Sequence, residues 1–414
     1  MIRRTDRILP AACIVLAATA ATAAHARPAS CGGEACQRAM DQERAALDAL
    51  AAARAKAGTV RTVEIAICLD TSGSMDGLID AARARIWDIV NDLAKATPAP
   101  KLRVALLNYG NDGHNPEMGW TSIDTDFTED LDMVSAKLFG LHTNGGTELV
   151  GRAIDRATRE LKWTGDDTAL KIMVIAGNES ADQDRQVAYQ EAAKRAIAAG
   201  ILVNSVYCGA ANDSLAPQWS EVARLADGRF ACIDQSTGAV AIATPFDQEL
   251  VALSASLNTT YLPFGAGGGA AWANQAAQDT NASGLNSAVA AQRCVTKGGN
   301  AYCNSGWDLV DASKDAAFKL EAVPADQLPE PMRAMTLEQR REHIAARAKE
   351  REEIRKRIAE LDAQRGKFVA QETARRGADA GSFDRAIRDA VRAQAVARGL
   401  AFPPDAVAAA APTP

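Results

Sequence analysis

Histidine is scarce in this chain, with four in 414 residues. The three that follow residue 26, His114, His142 and His343, are far apart. A zinc site needs clustered Cys and His at short spacing, and none is present. No Ser-His-Asp or Cys-His set is legible, nor a phosphate-cradling glycine loop or dinucleotide fingerprint. Those absences argue against nucleophilic hydrolases, nucleotide-dependent enzymes and dehydrogenases. Aromatic residues make up only 5%. After the first 26 residues no apolar run is long enough to cross a bilayer. Positive charge is also in deficit, with a formal net charge of −6. That argues against nucleic acid as a general partner.

Hydrophobic residues are abundant, at 47%, and can supply a sizeable core. The first 26 residues read as a cleaved secretory signal. Arg3, Arg4 and Arg7 precede the apolar stretch Ile8 to Ala24, and Ala24-His25-Ala26 offers a small-x-small cleavage site. Its removal leaves a net charge of about −8 and predicts a periplasmic or secreted protein with no integral membrane segment. In such a compartment close cysteines read as disulfides. The candidate pairs are Cys31 with Cys36, Cys208 with Cys232, and Cys294 with Cys303, the last bracketing a turn. Cys68 remains as a buried thiol.

The informative stretch is Val63 to Gly77, VEIAICLDTSGSMDG. A short apolar run before a helix reads as a buried parallel strand. Asp70, Ser72 and Ser74 therefore fall in the turn at the strand's carboxyl end, where open α/β sheets bind ligands. One carboxylate and two hydroxyls are hard oxygen donors suited to Mg²⁺ or Mn²⁺, with Ca²⁺ a further option. The bland alternative is that Ser72 or Ser74 caps the helix that follows. Further apolar runs at 101–109, 169–176, 201–207 and 229–233 alternate with helical segments, including 181–200, 216–227 and 244–257. This predicts an α/β fold with a doubly wound, mostly parallel sheet. The polar segment 120–127 reads as an edge strand.

The Asp70-x-Ser72-x-Ser74 motif resembles the metal-ion-dependent adhesion site (MIDAS) of von Willebrand factor type A domains. Gly145-Gly146-Thr147, about seventy residues on, matches that family's second motif, whose threonine ligates the metal; a simple helix cap at Thr147 is the alternative. The resemblance covers 59–257. It implies a divalent ion held by Asp70, Ser72, Ser74 and Thr147 that grips a carboxylate on a protein partner. One departure stands out. The family continues its next strand with Thr-Asp-Gly, whereas this chain reads Gly177-Asn178-Glu179. Gly177 takes the aspartate's place, and Glu179 is the next carboxylate that could contribute. This variant resembles that of bacterial secreted type A proteins.

Around that domain, 27–58 reads as a leader helix carrying Cys31 and Cys36. Residues 258–335 read as a connector holding a poor helix (275–293) and a Cys294/Cys303 hairpin. Segment 336–399 reads as a charged helical hairpin or coiled coil, with Arg347 and Arg351 interrupting its apolar seam. Residues 400–414 read as a disordered tail. Three functions follow in order of support. The first is a metal-dependent binding module. The second is a scaffold acting, or self-associating, through its C-terminal helices. The third is a metal-dependent hydrolase, for which only Glu148 and Glu179 offer a general base; the chain is therefore read as a non-enzyme.

Overall fold

A computed structural model describes residues 62–233, 242–376 and 383–402. The signal segment, the leader helix, Cys31, Cys36 and the tail from 403 lie outside the described residues.

Among the described residues six strands form one sheet in the order β3-β2-β1-β4-β5-β6. They are β1 Thr62–Asp70, β2 Lys101–Tyr109, β3 Thr121–Thr128, β4 Leu170–Gly177, β5 Ile201–Tyr207 and β6 Phe230–Cys232. All neighbours pair parallel except β3, which runs antiparallel to β2 as an edge. The central strands are apolar on both faces because helices cover both. Polar β3 sits outermost.

Strand alternation sorts the core into two layers. Val63, Ile65 and Leu69 of β1 join one layer, with Leu106 and Val174. Ala66 and Cys68 join the other, with Leu107, Tyr109 and Ile175. Helices α3 (Val150–Glu160), α4 (Tyr189–Ala198) and α5 (Ala216–Leu225) back the second layer. The first layer is backed by α1 (Asp76–Ala94) and α2 (Leu131–Phe139), and then by the C-terminal half of the chain. There α6 (Asp247–Asn258), α7 (Gly268–Leu285) and α8 (Ser287–Gly298) pack on one another and on α1 and α2. After the single turn α9 (Leu309–Ala312), the 40-residue helix α10 (Leu337–Arg376) lies on α6 and α8. Helix α11 (Phe383–Val396) docks on α1 and on strands β4, β5 and β6. An apolar cavity between sheet and helices is lined by Ile65, Val104, Val174, Ile89 and Ile387.

Several expectations are corrected here. The helix expected over 181–200 begins only at Tyr189. Asp184 accepts backbone bonds from Gln186 and Val187 and pairs with Arg152 at 3.0 Å, which holds the preceding residues in turns. The poor helix 275–293 is two helices, broken where the Asn286 side chain accepts from the Val289 N–H and starts α8.

The disulfide expectations also change, because Cys208, Cys232, Cys294 and Cys303 all keep their thiols. Cys232 pairs in register with Tyr207, not with Cys208. A one-residue offset sends side chains to opposite faces. Cys208 accordingly lies in the first layer and Cys232 against the second. The expected Cys294 hairpin is instead the buried interior of α8, while Cys303 is exposed beyond it.

The arginines in the α10 seam prove to be fasteners. Arg351 is 4% exposed and pairs with Asp308 at 2.7 Å and Asp311 at 3.2 Å, and its guanidinium lies 4.1 Å from the centre of the Tyr261 ring. Arg365 likewise meets Asp247 at 2.9 Å.

Candidate metal site at the carboxyl edge of the sheet

Three loops meet where β1, β2 and β4 end. Backbone hydrogen bonds stitch them together. The Thr71 N–H donates to the Tyr109 carbonyl at 2.8 Å, Asn144 N–H to the Thr71 carbonyl at 2.9 Å, and Gly73 N–H to the Gly145 carbonyl at 2.9 Å. Gly110 and Thr147 face each other in an isolated antiparallel bridge. Gly145 has φ +84°, and a Cβ there would sit 2.1 Å from Asp112 Cγ. A glycine is needed on both counts. This explains the first glycine of the pair before Thr147.

Asp70 ends β1 and is fully buried. Its Oδ1 accepts from the Ser72 N–H at 2.8 Å. Its Oδ2 is buried with no hydrogen-bond partner. Burial pushes the Asp70 carboxyl up to about 7; the bonds from Ser72 work against that rise, and the charges of Glu148 and Glu179 add to it. The Ser72 and Ser74 hydroxyls are 3.3 Å apart. Asn178 steadies the second, its Nδ2 donating to Ser74 Oγ at 3.0 Å.

The capping alternatives do not hold. Helix α1 takes Met75 as its N-cap and α3 takes Leu149, neither with a side-chain cap bond. The hydroxyls of Ser72, Ser74 and Thr147 are thus not spent on helix ends. Buried polar atoms are nearly always partnered in folded proteins, so an orphaned carboxylate oxygen beside such hydroxyls marks a place for a ligand. The donor set, one carboxylate with hydroxyl oxygens, fits a hard divalent cation.

Gly177 lies directly against this site. A Cβ there would be 2.5 Å from Tyr109 Oη, and 3.0 Å from both Asp70 Oδ2 and Trp219 Cη2. Tyr109 is itself buried, its hydroxyl donating to the Ala176 carbonyl at 3.0 Å. Glu179 is exposed, and its backbone carbonyl accepts from Trp219 Nε1 at 2.8 Å. Glu148, which the sequence singles out only as a possible base, is 4% exposed and turned toward the site. Tyr109 is the residue that sequence reasoning missed. Its one signal was a hydroxyl-bearing aromatic closing the strand Lys101–Tyr109.

Beyond the site edge, Thr71 Oγ1 donates to Asn108 Oδ1 at 2.9 Å, and Asn108 Nδ2 donates to Asp124 Oδ2 at 2.7 Å. His114 Nε2 lies 2.5 Å from the same Asn108 oxygen. These contacts brace the turn from the edge-strand side. Carboxylates between 124 and 132 serve structure here. Asp124 holds Asn108, and Asp130 caps α2.

Comparison with known proteins gives one family match and several partial structural likenesses. Residues 64–230 match the model of the von Willebrand factor type A domain. Solved structures similar to part of the chain include proximal thread matrix protein 1 from the mussel byssus with a zinc-occupied MIDAS motif. It is 12% identical with a TM-score of 0.35, over 43% of this chain and 43% of that one. The SpRpn10 VWA domain is 15% identical with a TM-score of 0.33, over 42% of this chain and 88% of that one. The pilus adhesin SpaC from Lactobacillus rhamnosus GG, in an open conformation, is 15% identical with a TM-score of 0.35, over 43% of this chain and 28% of that one. The chain thus spans less than half the length of the mussel protein and of the adhesin. No curated protein matches it. Among the described residues no helix is long and apolar enough to cross a membrane. Within this chain, residues 64–230 form a von Willebrand factor type A domain.

Proposed function

We propose that this protein is an exported binding module that uses a divalent cation, Mg²⁺ or Mn²⁺, to engage an acidic side chain of a protein partner. Asp70, Ser72, Ser74 and Thr147 would hold the cation. The observation that carries the reading is the buried, unpartnered Asp70 Oδ2 set beside hydroxyls that neither following helix uses. A cation among mostly neutral ligands supplies an electrophile open to an incoming carboxylate. The chain's own part is to fix the ligands. The stitched loops set the backbone, Asn178 orients Ser74, and Tyr109 with Trp219 fills the space under Gly177.

The scaffold reading has less support. The inner faces of α10 and α11 are already engaged with the body of the chain, through Arg351, Arg365 and Ile387. A hydrolase lacks a base on a substrate pocket. Glu179 is exposed, and Glu148 is held by Gln183.

The test is thermal unfolding in EDTA and in millimolar Mg²⁺ or Mn²⁺. A ligand that binds only the folded chain stabilises it by about 2.7 kcal/mol at 100 times its dissociation constant. The wild type should gain stability with the ion, and Thr147→Ala should lose that gain while melting unchanged in EDTA. A wild type indifferent to both ions would overturn the reading.

A further inference from the structure

We infer that Glu148 is the second carboxylate of the cation site, in place of the aspartate that Gly177 omits; this rests on the reading just given. The argument begins with space. No side chain fits at 177 while Tyr109 and Trp219 stay where they are, because a Cβ would already approach Tyr109 Oη to 2.5 Å. Tyr109 is anchored to Ala176 and Trp219 to Glu179. The omission is therefore built into the packing.

Charge supplies the second step. Glu148 follows Thr147 directly and belongs to the loop that bridges to Gly110. A Cβ on Gly110 would lie 2.7 Å from Asp70 Oδ1 and 3.1 Å from Glu148 Cγ, so the two acidic side chains flank one point. Both are buried, at 0% and 4% exposure. Glu148 Oε2 accepts from Gln183 Nε2 at 3.0 Å, a neutral donor. Among the described residues no Lys, Arg or His pairs with either carboxylate. Two buried carboxylates side by side without a counter-charge are unfavourable. A cation between them removes the penalty. Glu179, the carboxylate the sequence favoured, is exposed and does not share this burial.

Mn²⁺ titrated calorimetrically into the full chain, with melting temperatures in EDTA and in Mn²⁺, tests this. Glu148→Gln should weaken Mn²⁺ binding by at least about tenfold. In EDTA the same variant should melt higher than wild type, because a repulsive charge is gone. A purely structural role for Glu148 predicts a lower melting temperature in EDTA. Glu179→Gln should leave binding unchanged. Gln183→Ala, on a half-buried loop, frees Glu148 Oε2 and should weaken Mn²⁺ binding several-fold; it decides the question should Glu148→Gln not fold. Wild-type affinity in Glu148→Gln, alongside lost binding in Thr147→Ala, would overturn the role of Glu148 and leave the metal reading standing. No Mn²⁺ binding by the wild type would overturn both.

Discussion

The molecule buries charge in two places, and it treats them in opposite ways. Under α8, every carboxylate faces a cation. Arg293, 1% exposed, approaches Asp132 to 2.6 Å and Asp279 to 3.1 Å, and its guanidinium lies 4.6 Å from the centre of the Trp87 ring. Lys297 meets Asp279 at 2.6 Å and donates to Ser254 Oγ at 3.0 Å. Tyr302 donates to Asp132. At the sheet edge, Asp70 and Glu148 are as deeply buried and have only neutral donors. The first cluster neutralises its carboxylates with cations of the chain itself and works as a fastener between α2, α7 and α8. The second has no counter-charge among the described residues, and in the proposed function a cation supplies it. Burial alone does not mark a functional charge; burial without a counter-charge does.

The sharpest way to break this contrast is to make the fastener resemble the site. Arg293→Met leaves Asp132 without its guanidinium and Asp279 with Lys297 alone. Removing one partner of a buried ion pair costs about 3–5 kcal/mol, so urea unfolding should show a loss of that size. Acid should tell the same story. Burial raises the Asp279 carboxyl, but Lys297 and Arg293 together hold it below its ordinary value of 3.8. A group depressed in the folded state gives stability that is present above 3.8 and lost as pH falls through its folded value. The wild type should therefore weaken below about pH 4, and the acid limb should be shallower in Arg293→Met.

A smaller effect is expected at the site edge. Gly177→Ala drives a methyl group against Tyr109 Oη and should cost about 1–3 kcal/mol by overpacking, read from the same urea curves. Gly177→Asp should cost more and restore no Mn²⁺ affinity, because Asp70, Tyr109 and Trp219 already fill that space. Stability unchanged in Gly177→Asp, with tighter Mn²⁺ binding, would show that the packing does not exclude the missing aspartate.

The smallest effect concerns the thiols. Cys232→Ser should change stability by no more than about 0.5 kcal/mol. Alkylation of the denatured, unreduced chain should label Cys208 and Cys232 in separate peptides. A linked pair would contradict the placement of the two on opposite faces of the sheet.

Strand and helix alternation was legible because a parallel sheet covered on both faces is written as apolar runs. Asp70, Ser72 and Ser74 were legible because they fall at alternate positions of one short stretch at the end of β1. Other features depend on what the chain meets in space. Glu148 gains its meaning from Gly110 and Gln183, which lie on other loops. The late start of α4 depends on Arg152, a residue of α3, meeting Asp184. Arg351 looked like a flaw in an apolar seam until Asp308 and Asp311 appeared opposite it. Cys232 lies on β6, but Cys208 falls just past the end of β5, and a single step of register separates their faces.

One backbone contact bears on the order in which the molecule can be completed. Thr97 and Ala401 exchange hydrogen bonds in both directions, at 2.7 and 3.0 Å. They join the end of α1 to the segment after α11 across roughly 300 residues of chain, and contacts so distant in sequence form late. Helix α11 covers β4, β5 and β6. During synthesis the part of the sheet face over β4, β5 and β6 that α11 covers therefore stays open until that helix has emerged. Residue 230, where the type A match ends, precedes this helix by roughly 150 residues, and a protein truncated before Phe383 would present that apolar face to its neighbours.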